Sequence, residues 1–311
     1  MSPALPMNGH EEAEKTFLSA RSTGRLHHGW IVRGPSGIGK SLFVRRLASV
    51  MLGASSPDAP DTDAVMQKVL SGSHPDLYWL QRELNEKGQL RQDITVEQVR
   101  GLTHFFTLKP AMSGWRIGVI DALDEMNVSG MNALLKTLEE PPVNAILFLV
   151  SHDTRTILPT IKSRCRVLRL KPLSKKDTEQ VLTAQGSSTP LATELAGGRP
   201  GYGLKLSTAS GAKAGQAIRA VLKSIHKPSP AAVAEALTAA GQDDVALAAF
   251  ADELARWTAA MAENDPELAE AWLALQRTRA TGEELNLTPP QLAAKMLAIV
   301  QDAVRSTTGA T

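Results

Sequence analysis

The chain has 311 residues, of which 43% are hydrophobic and 21% are charged, and its formal net charge is +2. This length predicts two or three domains, and the near-balanced charge excludes a strong basic field over the whole surface. The single cysteine, Cys165, excludes an internal disulfide and any zinc site that needs several cysteines.

The first 172 residues alternate apolar runs with helical patterns, which predicts an α/β fold with a mainly parallel sheet covered on both faces. In the helix over 95–108, Thr95 is expected to cap the first turn together with Gln98. A polar, proline-bearing stretch over 53–63 predicts a loop. The predicted strands are 29–35, 76–82, 115–122, 145–151 and 165–173, and the predicted helices are 39–52, 95–108 and 127–142.

Beyond Leu173 the strand pattern ends and helical patterns continue. Three short helices are predicted over 174–186, 189–198 and 201–209. The alanine- and leucine-rich remainder predicts an all-helical region. The expected division is an α/β domain over 1–172, a small helical domain over 173–210 and an all-helical domain over 211–311.

The segment "GPSGIGKS" satisfies G-x-x-x-x-G-K-S between a predicted strand and a predicted helix, which is the context of a phosphate-binding loop, or P-loop. Its glycines let backbone N–H groups turn towards phosphate oxygens, and the helix amino terminus adds positive potential. The lysine would reach the terminal phosphates, and the last serine would ligate magnesium. A chance glycine-rich turn and a loop that no longer binds ATP are the alternatives. The predicted nucleotide-binding residues are Gly34, Pro35, Ser36, Gly37, Ile38, Gly39, Lys40 and Ser41.

The predicted strand 115–122 delivers Asp121 to its end, which suits a second contact to a magnesium ion bound with the nucleotide. A working ATPase of this kind usually has a second carboxylate next in sequence, to polarise the attacking water, but Ala122 stands there. Asp124 and Glu125 are interpreted as solvated acids at a helix start. We therefore expect ATP with Mg²⁺ to be bound and not turned over.

Several segments resemble the bacterial clamp-loader ATPase family in order and spacing, from about residue 10 to residue 173. They include "GRLHHGWIVRGPSGIGKS", "ITVEQVRGL", "VIDALDEMNVSGMNALLKTLEEPP" and "TIKSRCRVLRLKPL". The resemblance implies an AAA+ nucleotide-binding domain, a helical lid and a helical collar that joins subunits into an open hetero-pentamer. The implied partners are the gamma/tau ATPase and delta subunits, with the sliding clamp and primer–template DNA reached through the complex.

The resemblance also assigns roles to single residues. Arg164 of "SRC" matches the family's arginine finger, which acts in trans at the adjacent subunit's ATP site; a surface arginine closing a helix is the alternative. Ser151 fits the polar sensor position, although a serine at a strand end can also cap a turn. The family's lid arginine would fall near Gly201, where the sequence offers only Arg199. Residues 53–73 hold no cysteine, so no zinc is expected.

Three functions remain open at this stage. The leading hypothesis, from the resemblance, is a regulatory stator subunit that acts at the replication fork. We expect it to be cytoplasmic, because no apolar run reaches the about 20 residues that span a bilayer. The acidic start also does not resemble a secretory signal. The second is an active gamma/tau-like motor ATPase. The third is a nucleic-acid-binding module, which would use His27, His28 and exposed lysines. The lysines are Lys162, Lys171, Lys175 and Lys176.

Overall fold

The computed structural model describes residues 6–84, 91, 93–152, 157–187, 190–262, 265–281 and 287–309. The chain divides into two compact units, Met1–Val181 (unit 1) and Leu182–Thr311 (unit 2). The boundary falls inside the segment 173–210 that was expected to form a small domain of its own, and the three-domain division stays a prediction.

Unit 1 is built on a five-stranded sheet with the strand order β2-β3-β4-β1-β5. Every pairing in it is parallel, and each strand lies where the sequence predicts one. Since parallel strands point the same way, their carboxyl ends meet at one edge of the sheet, where Arg33 pairs with Ser151. The strands are β1 (Gly29–Arg33), β2 (Leu77–Leu80), β3 (Arg116–Asp121), β4 (Ala145–Ser151) and β5 (Arg166–Arg169).

In the described part of unit 1, helices pack against the sheet, and the three that the sequence predicts are present. The expected capping box is also confirmed: the side chain of Thr95 accepts from the backbone N–H of Gln98, whose side chain in turn accepts from that of Thr95. The helices are α1 (Glu11–Ser22), α2 (Lys40–Met51), α3 (Ala64–Leu70), α4 (Val96–Thr107), α5 (Val128–Glu139) and α6 (Pro159–Lys162).

Sequence patterns did not predict α1 and α3. In α1 the one fully buried side chain is Phe17, and the rest of its apolar face consists of the partly buried Ala13, Leu18 and Ala20, so the apolar pattern of the helix is weak. Its position depends instead on Arg46 of α2, which is only 2% exposed. The Arg46 guanidinium contacts Glu14 of α1 at 3.0 Å and Asp58 at 2.8 Å. Helix α3 has seven residues, which is too short for a clear period, although Asp63 caps it.

Each face of the sheet has its own apolar core. One cluster lies under α1 and α2 and includes Phe17, Phe43 and Phe148. The other lies under α4 and α5 and includes Leu102 and Leu134. The sheet is therefore buried on both faces, as expected for parallel strands in an α/β fold.

Just before β2, the sequence "HPD" forms a buried polar anchor. Asp76 is 0% exposed, and its carboxylate accepts hydrogen bonds from Ala111, Met112 and Ser113. Burial acts to raise the pKa of Asp76, but these donors outweigh it and lower that pKa. Asp76 thus fixes the segment that leads into β3.

His74 belongs to the same anchor and is 2% exposed. Its Nδ1 accepts from the backbone N–H of Asp76 at 3.1 Å, and its Nε2 has no hydrogen-bond partner among the residues that the structure describes. Burial lowers the pKa of His74, and the charge of Lys68 adds to this, whereas Asp76 opposes it. The folded protein therefore favours neutral imidazole.

We predict that His74 makes unit 1 less stable in mild acid. A histidine whose pKa is lower in the folded state gives its full stability above about pH 6.5, its ordinary pKa, and loses at most about 1.4 kcal/mol per pH unit below it. His74→Asn keeps an acceptor for the N–H of Asp76 but does not titrate. Urea unfolding at pH 7.5 and pH 5.5 should therefore show a smaller difference for His74→Asn than for the unmodified chain.

His104→Asn is the matched control, because His104 is exposed at the end of α4. It should leave the pH dependence unchanged. Equal pH dependence in the His74 variant and the unmodified chain would contradict the buried neutral state.

The described part of unit 2 is helical. Helix α7 (Lys175–Ala184) crosses the boundary between the units, and the three short helices predicted after Leu173 are present as α7, α8 and α9. Among the described helices, none combines the length and apolar character that a bilayer crossing requires. The remaining helices are α8 (Pro190–Ala196), α9 (Pro200–Leu206), α10 (Ala209–Lys223), α11 (Pro230–Ala240), α12 (Asp244–Met261), α13 (Pro266–Thr281) and α14 (Pro289–Gly309).

A buried polar network joins α9, α10 and α12 within unit 2. Glu253 of α12 is 2% exposed and contacts Arg219 of α10 at 2.7 Å and Arg256 of its own helix. The hydroxyl of Tyr202, on α9, donates to Glu253 at 3.1 Å. Burial raises the pKa of Tyr202, so the phenol remains the donor.

Candidate nucleotide-binding site

The glycine-rich segment connects the carboxyl end of β1 to the amino end of α2. Gly34 has φ +152°, and a Cβ there would lie 2.3 Å from the carbonyl oxygen of Leu170, so a larger residue does not fit. Gly39 has φ +94° and is the N-cap of α2, where no side chain accepts from the first turn and no acid lies in that turn. The amino terminus of α2 is therefore open to an anion, as a phosphate site requires.

Lys40 is 3% exposed, and its ammonium donates to the carbonyl oxygens of Gly34 and Pro35, each at 2.7 Å. The lysine thus folds back over the loop that the sequence assigns to phosphates. The loop, the open helix amino terminus and this ammonium together fit a nucleotide's phosphate groups.

Asp121 ends β3 at the same edge of the sheet, where it pairs with Val150 of β4. Ser41 is the second residue of α2, which packs against β3. Among the described residues, no group of three or more histidines, cysteines and acids could hold a metal alone. Mg²⁺ commonly takes one or two protein ligands together with phosphate oxygens and water, so Ser41 and Asp121 fit a magnesium ion that arrives with a nucleotide.

Sequence reasoning missed Arg45, which lies one helical turn after Ser41 and stacks over the ring of Trp79 at 4.1 Å. Burial lowers the pKa of Arg45, and the nearby charge of Asp121 opposes that effect. The predicted magnesium ligand therefore has a permanent positive neighbour. The sequence signal that could have found Arg45 is its spacing of four residues from Ser41, which places both side chains on the same face of α2.

The residue after Asp121 does not face solvent. Ala122 is 1% exposed and packs in the core cluster under α1 and α2. The position that carries the water-polarising acid in an active ATPase is therefore occupied by a methyl group inside an apolar core.

The prediction that Asp124 and Glu125 are solvated acids is wrong. A one-turn 3₁₀ helix, Leu123–Glu125, follows β3 and turns Asp124 inwards, where it is 6% exposed. Its carboxylate accepts from the hydroxyl of Ser151 at 3.3 Å and from the backbone N–H of His152 at 2.7 Å. Glu125 is partly buried, and burial raises its pKa, although Arg82 pairs with it at 3.0 Å.

Ser151, the predicted sensor, is 0% exposed at the end of β4. Its hydroxyl has one proton, and the bond to Asp124 uses it. The structure thus brings Ser151 to the same sheet edge as Asp121, but it directs the hydroxyl to a neighbouring carboxylate.

Arg164 lies at the opposite edge of the sheet. It comes two residues before Arg166, which pairs with Trp30 near the start of β1, whereas the P-loop follows the end of β1. Five strand residues at about 3.3 Å each place about 16 Å between these edges. Arg164 Nη2 contacts Glu139 Oε1 at 2.8 Å, and Arg164 Nη1 donates to the carbonyl oxygen of Thr160 at 3.0 Å. The structure does not bring Arg164 together with Lys40.

The residues weighed for nucleic-acid contact have simpler surroundings. The rings of His27 and His28 stack at 4.3 Å, and His28 Nε2 lies 3.0 Å from the carbonyl oxygen of Leu138, at the carboxyl end of α5. Burial, with a contribution from His27, lowers the pKa of His28. The four lysines 162, 171, 175 and 176 are exposed.

A P-loop motif between β1 and α2, with an aspartate at the end of β3, is the arrangement typical of the P-loop class of α/β proteins. The model of the family described as DNA polymerase III, delta subunit, matches residues 9–174, more than half of the chain. The chain belongs to this family, and the predicted AAA+ clamp-loader type of fold is confirmed by that membership and by its strand order.

Two sequence relatives are also subunits of DNA polymerase III. The chain is 36% identical over 140 residues to DNA polymerase III subunit delta' of Pseudomonas aeruginosa, a match that covers 44% of this chain and 41% of that protein. It is 30% identical over 176 residues to subunit tau of Escherichia coli, covering 56% of this chain and 26% of tau. A DNA polymerase III gamma subunit-related protein from Thermotoga maritima aligns over 92% of this chain and 99% of that one, with 15% identity and a TM-score of 0.43.

We predict that restoring an acid next to Asp121 does not create an ATPase. Ala122→Glu would bury a carboxylate without a partner, which costs about 3–5 kcal/mol. Chemical unfolding of the purified chain should show this loss in unit 1, and ATP turnover should stay at the level of the unmodified chain.

Val128→Glu is the control, because Val128 is 67% exposed in the first turn of α5. It should change stability by less than about 0.5 kcal/mol. An Ala122→Glu protein of normal stability that hydrolyses ATP would show that this position faces the nucleotide.

Proposed function

We propose that this chain acts as a delta-prime-like subunit of a bacterial DNA polymerase III clamp loader, a stator that helps to load the sliding clamp onto primed DNA. The observation that carries the proposal is that the glycine-rich loop leads to an uncapped helix start, while Ala122, which follows Asp121, is buried. We infer that such a site binds a nucleotide and does not hydrolyse it. Family membership supplies the setting in which a non-hydrolysing subunit has a role.

The binding half of the site supports ATP with Mg²⁺ as the ligand. Gly34, Gly37 and Gly39 all have positive φ, which is typical of a loop whose N–H groups surround an anion. Lys40 would exchange its two carbonyl contacts for phosphate oxygens. Ser41 and Asp121 would complete the magnesium shell with the phosphates and water.

The hydrolysing half lacks the groups that the reaction needs. Phosphoryl transfer depends on positioning and electrostatic stabilisation, so the loss of a water-orienting acid lowers the rate by orders of magnitude. Ala122 offers no such group, and the hydroxyl proton of Ser151 is used by Asp124. We infer that nucleotide bound here is held rather than consumed.

Arg164 supports a role at a neighbouring site. It lies at the sheet edge opposite its own P-loop, and its side chain is 35% exposed. A guanidinium is always charged and can hold two phosphate oxygens at once. We infer that it serves as an arginine finger in trans at the ATP site of an adjacent subunit.

The proposed partners follow from the relatives. Proteins named gamma, tau and delta' match this chain, so the proposed assembly is a hetero-pentamer with gamma/tau ATPase and delta subunits. Clamp and primer–template DNA would be reached through that complex, in the cytoplasm at the replication fork. Residues 173–210 would form the lid, and residues 211–311 the collar that holds the subunits together.

An active gamma/tau-like ATPase is the second candidate. The complete P-loop favours it, as do relatives named gamma and tau at 28–30% identity. Turnover by the isolated chain separates the two candidates.

The purified chain should bind ATP in the presence of Mg²⁺ and turn it over far below about 1 s⁻¹, the lower end for kinases. Calorimetric titration and a phosphate-release assay measure the two quantities. Lys40→Ala should abolish binding, because it removes the ammonium that reaches the terminal phosphates.

Lys136→Ala, which removes an exposed lysine from α5, should leave binding unchanged. A turnover near about 1 s⁻¹ that disappears in Lys40→Ala would establish the motor ATPase instead.

The trans role of Arg164 predicts a defect that appears only in the complex. Arginine fingers are worth about 10³–10⁵ in rate at their own site, but only one of several ATP sites would lose its finger here. Arg164→Ala should leave folding, assembly and this chain's own ATP binding unchanged. It should partly lower the clamp- and DNA-stimulated ATPase of the reconstituted complex, and it should lower clamp loading further.

Arg164→Lys should not restore the rate, because an ammonium cannot form the two-pronged contact. Arg166→Ala is the control for charge, since Arg166 is exposed two residues away. Clamp loading at the normal rate by the Arg164→Ala complex would end the trans proposal.

A further inference from the structure

The guanidinium of Arg164 is held by two separate elements. Glu139, the last residue of α5, contacts Nη2 through Oε1 at 2.8 Å. Nη1 donates to the carbonyl oxygen of Thr160 in α6 at 3.0 Å and to the hydroxyl of Ser163 at 3.3 Å. The side chain therefore has a defined direction before any neighbouring subunit is present.

These contacts leave Nε of the guanidinium without a contact among the described residues. An arginine has five N–H groups, and the contacts from described residues use Nη1 and Nη2. The N–H of Nε and one N–H of Nη2 lie side by side, which is the arrangement that binds two oxygens of one phosphate. Glu139 can thus orient the guanidinium through Nη2 while the N–H of Nε remains available to an anion.

The backbone at Arg164 is also fixed. The next residue, Cys165, packs with the core cluster under α4 and α5, and a Cβ on Gly29 would lie 2.9 Å from its sulfur. Burial raises the pKa of the Cys165 thiol to about 12, so it stays neutral there. With the main chain fixed, the direction of the guanidinium depends on the contacts of its own side chain.

The pair contributes little to the stability of the fold. The side chain of Arg164 is 35% exposed and that of Glu139 is 50% exposed, so water and salt screen their attraction. An isolated arginine at this edge would sample many rotamers. A contact that barely stabilises the fold but selects one orientation is suited to positioning a reacting group.

We propose that Glu139 is the positioning residue of Arg164, and that it orients the guanidinium towards a polyphosphate presented by an adjacent subunit. The inference rests on the proposed trans role of Arg164. Glu139 does not contact the phosphate; it acts through Arg164 alone. Its loss should therefore lower the turnover number of the neighbouring site and leave the KM for ATP unchanged, because the finger acts in the transition state.

The test uses the reconstituted complex with clamp and primed DNA. Glu139→Gln keeps the size of the side chain and removes its charge, and Glu139→Ala removes the contact. Stimulated kcat and clamp loading should fall by at least about half of the loss that Arg164→Ala causes, with KM within about twofold of normal. The stimulated kcat and the clamp-loading rate should fall further in Glu139→Ala than in Glu139→Gln. Both variant chains should unfold thermally at the same temperature as the unmodified chain.

Glu140→Gln is the matched control, because it removes the same charge from the next residue, which is exposed and has no ion pair with Arg164 among the described residues. It should leave kcat unchanged. The double variant Glu139→Gln/Arg164→Ala should be no slower than Arg164→Ala.

Three results would overturn the inference while the trans role stands. The first is a normal kcat in Glu139→Ala. The second is a higher kcat in Glu139→Gln, which would mean that Glu139 competes with the phosphate for Arg164. The third is a kcat in the double variant below that of Arg164→Ala. A normal rate in Arg164→Ala itself would remove the proposed trans role, and the inference with it.

Discussion

Strand β1 has parallel neighbours on both sides, β4 and β5, and this pairing decides where each functional group can lie. The P-loop leaves the carboxyl end of β1, so Lys40 belongs to that edge of the sheet. Arg164 precedes β5 and is level with the amino end of β1. Since all strands run the same way, about 16 Å of sheet separates the two groups. The topology therefore keeps Arg164 apart from this chain's own P-loop, which agrees with the proposed role of Arg164 at a neighbouring subunit.

The sheet and its main helices could be predicted because their signals are local. Apolar runs marked the strands, and the Thr95–Gln98 box marked the start of α4. Helix α1 could not be found this way, because the contacts that stabilise it are distant in sequence. Phe17 packs edge-on against Trp30 at 5.1 Å, and Glu14 pairs with the buried Arg46. The apolar face of α1 is short and built largely of alanines, so by itself it gives only a weak sequence signal.

The candidate site shows the same limit. The P-loop is one continuous segment, so its residues and spacing could be recognised directly. The environment of Asp124 depends on which strand lies beside β3, and the order β2-β3-β4-β1-β5 places Ser151 and His152 there. Likewise Glu139 and Arg164 are 25 residues apart and meet only because α5 ends close to the start of β5. Contacts between elements need the topology before they can be predicted.

The network around Glu253 bears on how the helical part of the chain could act. Tyr202 lies in the segment expected to form a lid, and Glu253 lies in the segment expected to form a collar, yet they share a hydrogen bond inside one compact unit. Arg219 and Arg256 neutralise the buried carboxylate. Moving α9 away from α12 would break the hydrogen bond between Tyr202 and Glu253 and leave both arginine contacts in place, and a hydrogen bond to a charged group contributes about 1.5–3 kcal/mol. A lid that opens and closes with each nucleotide cycle must move at a small cost in free energy. The hydrogen bond to Glu253 therefore favours an α9 that stays in place against α12. Such a fixed contact between α9 and α12 agrees with the proposed stator role.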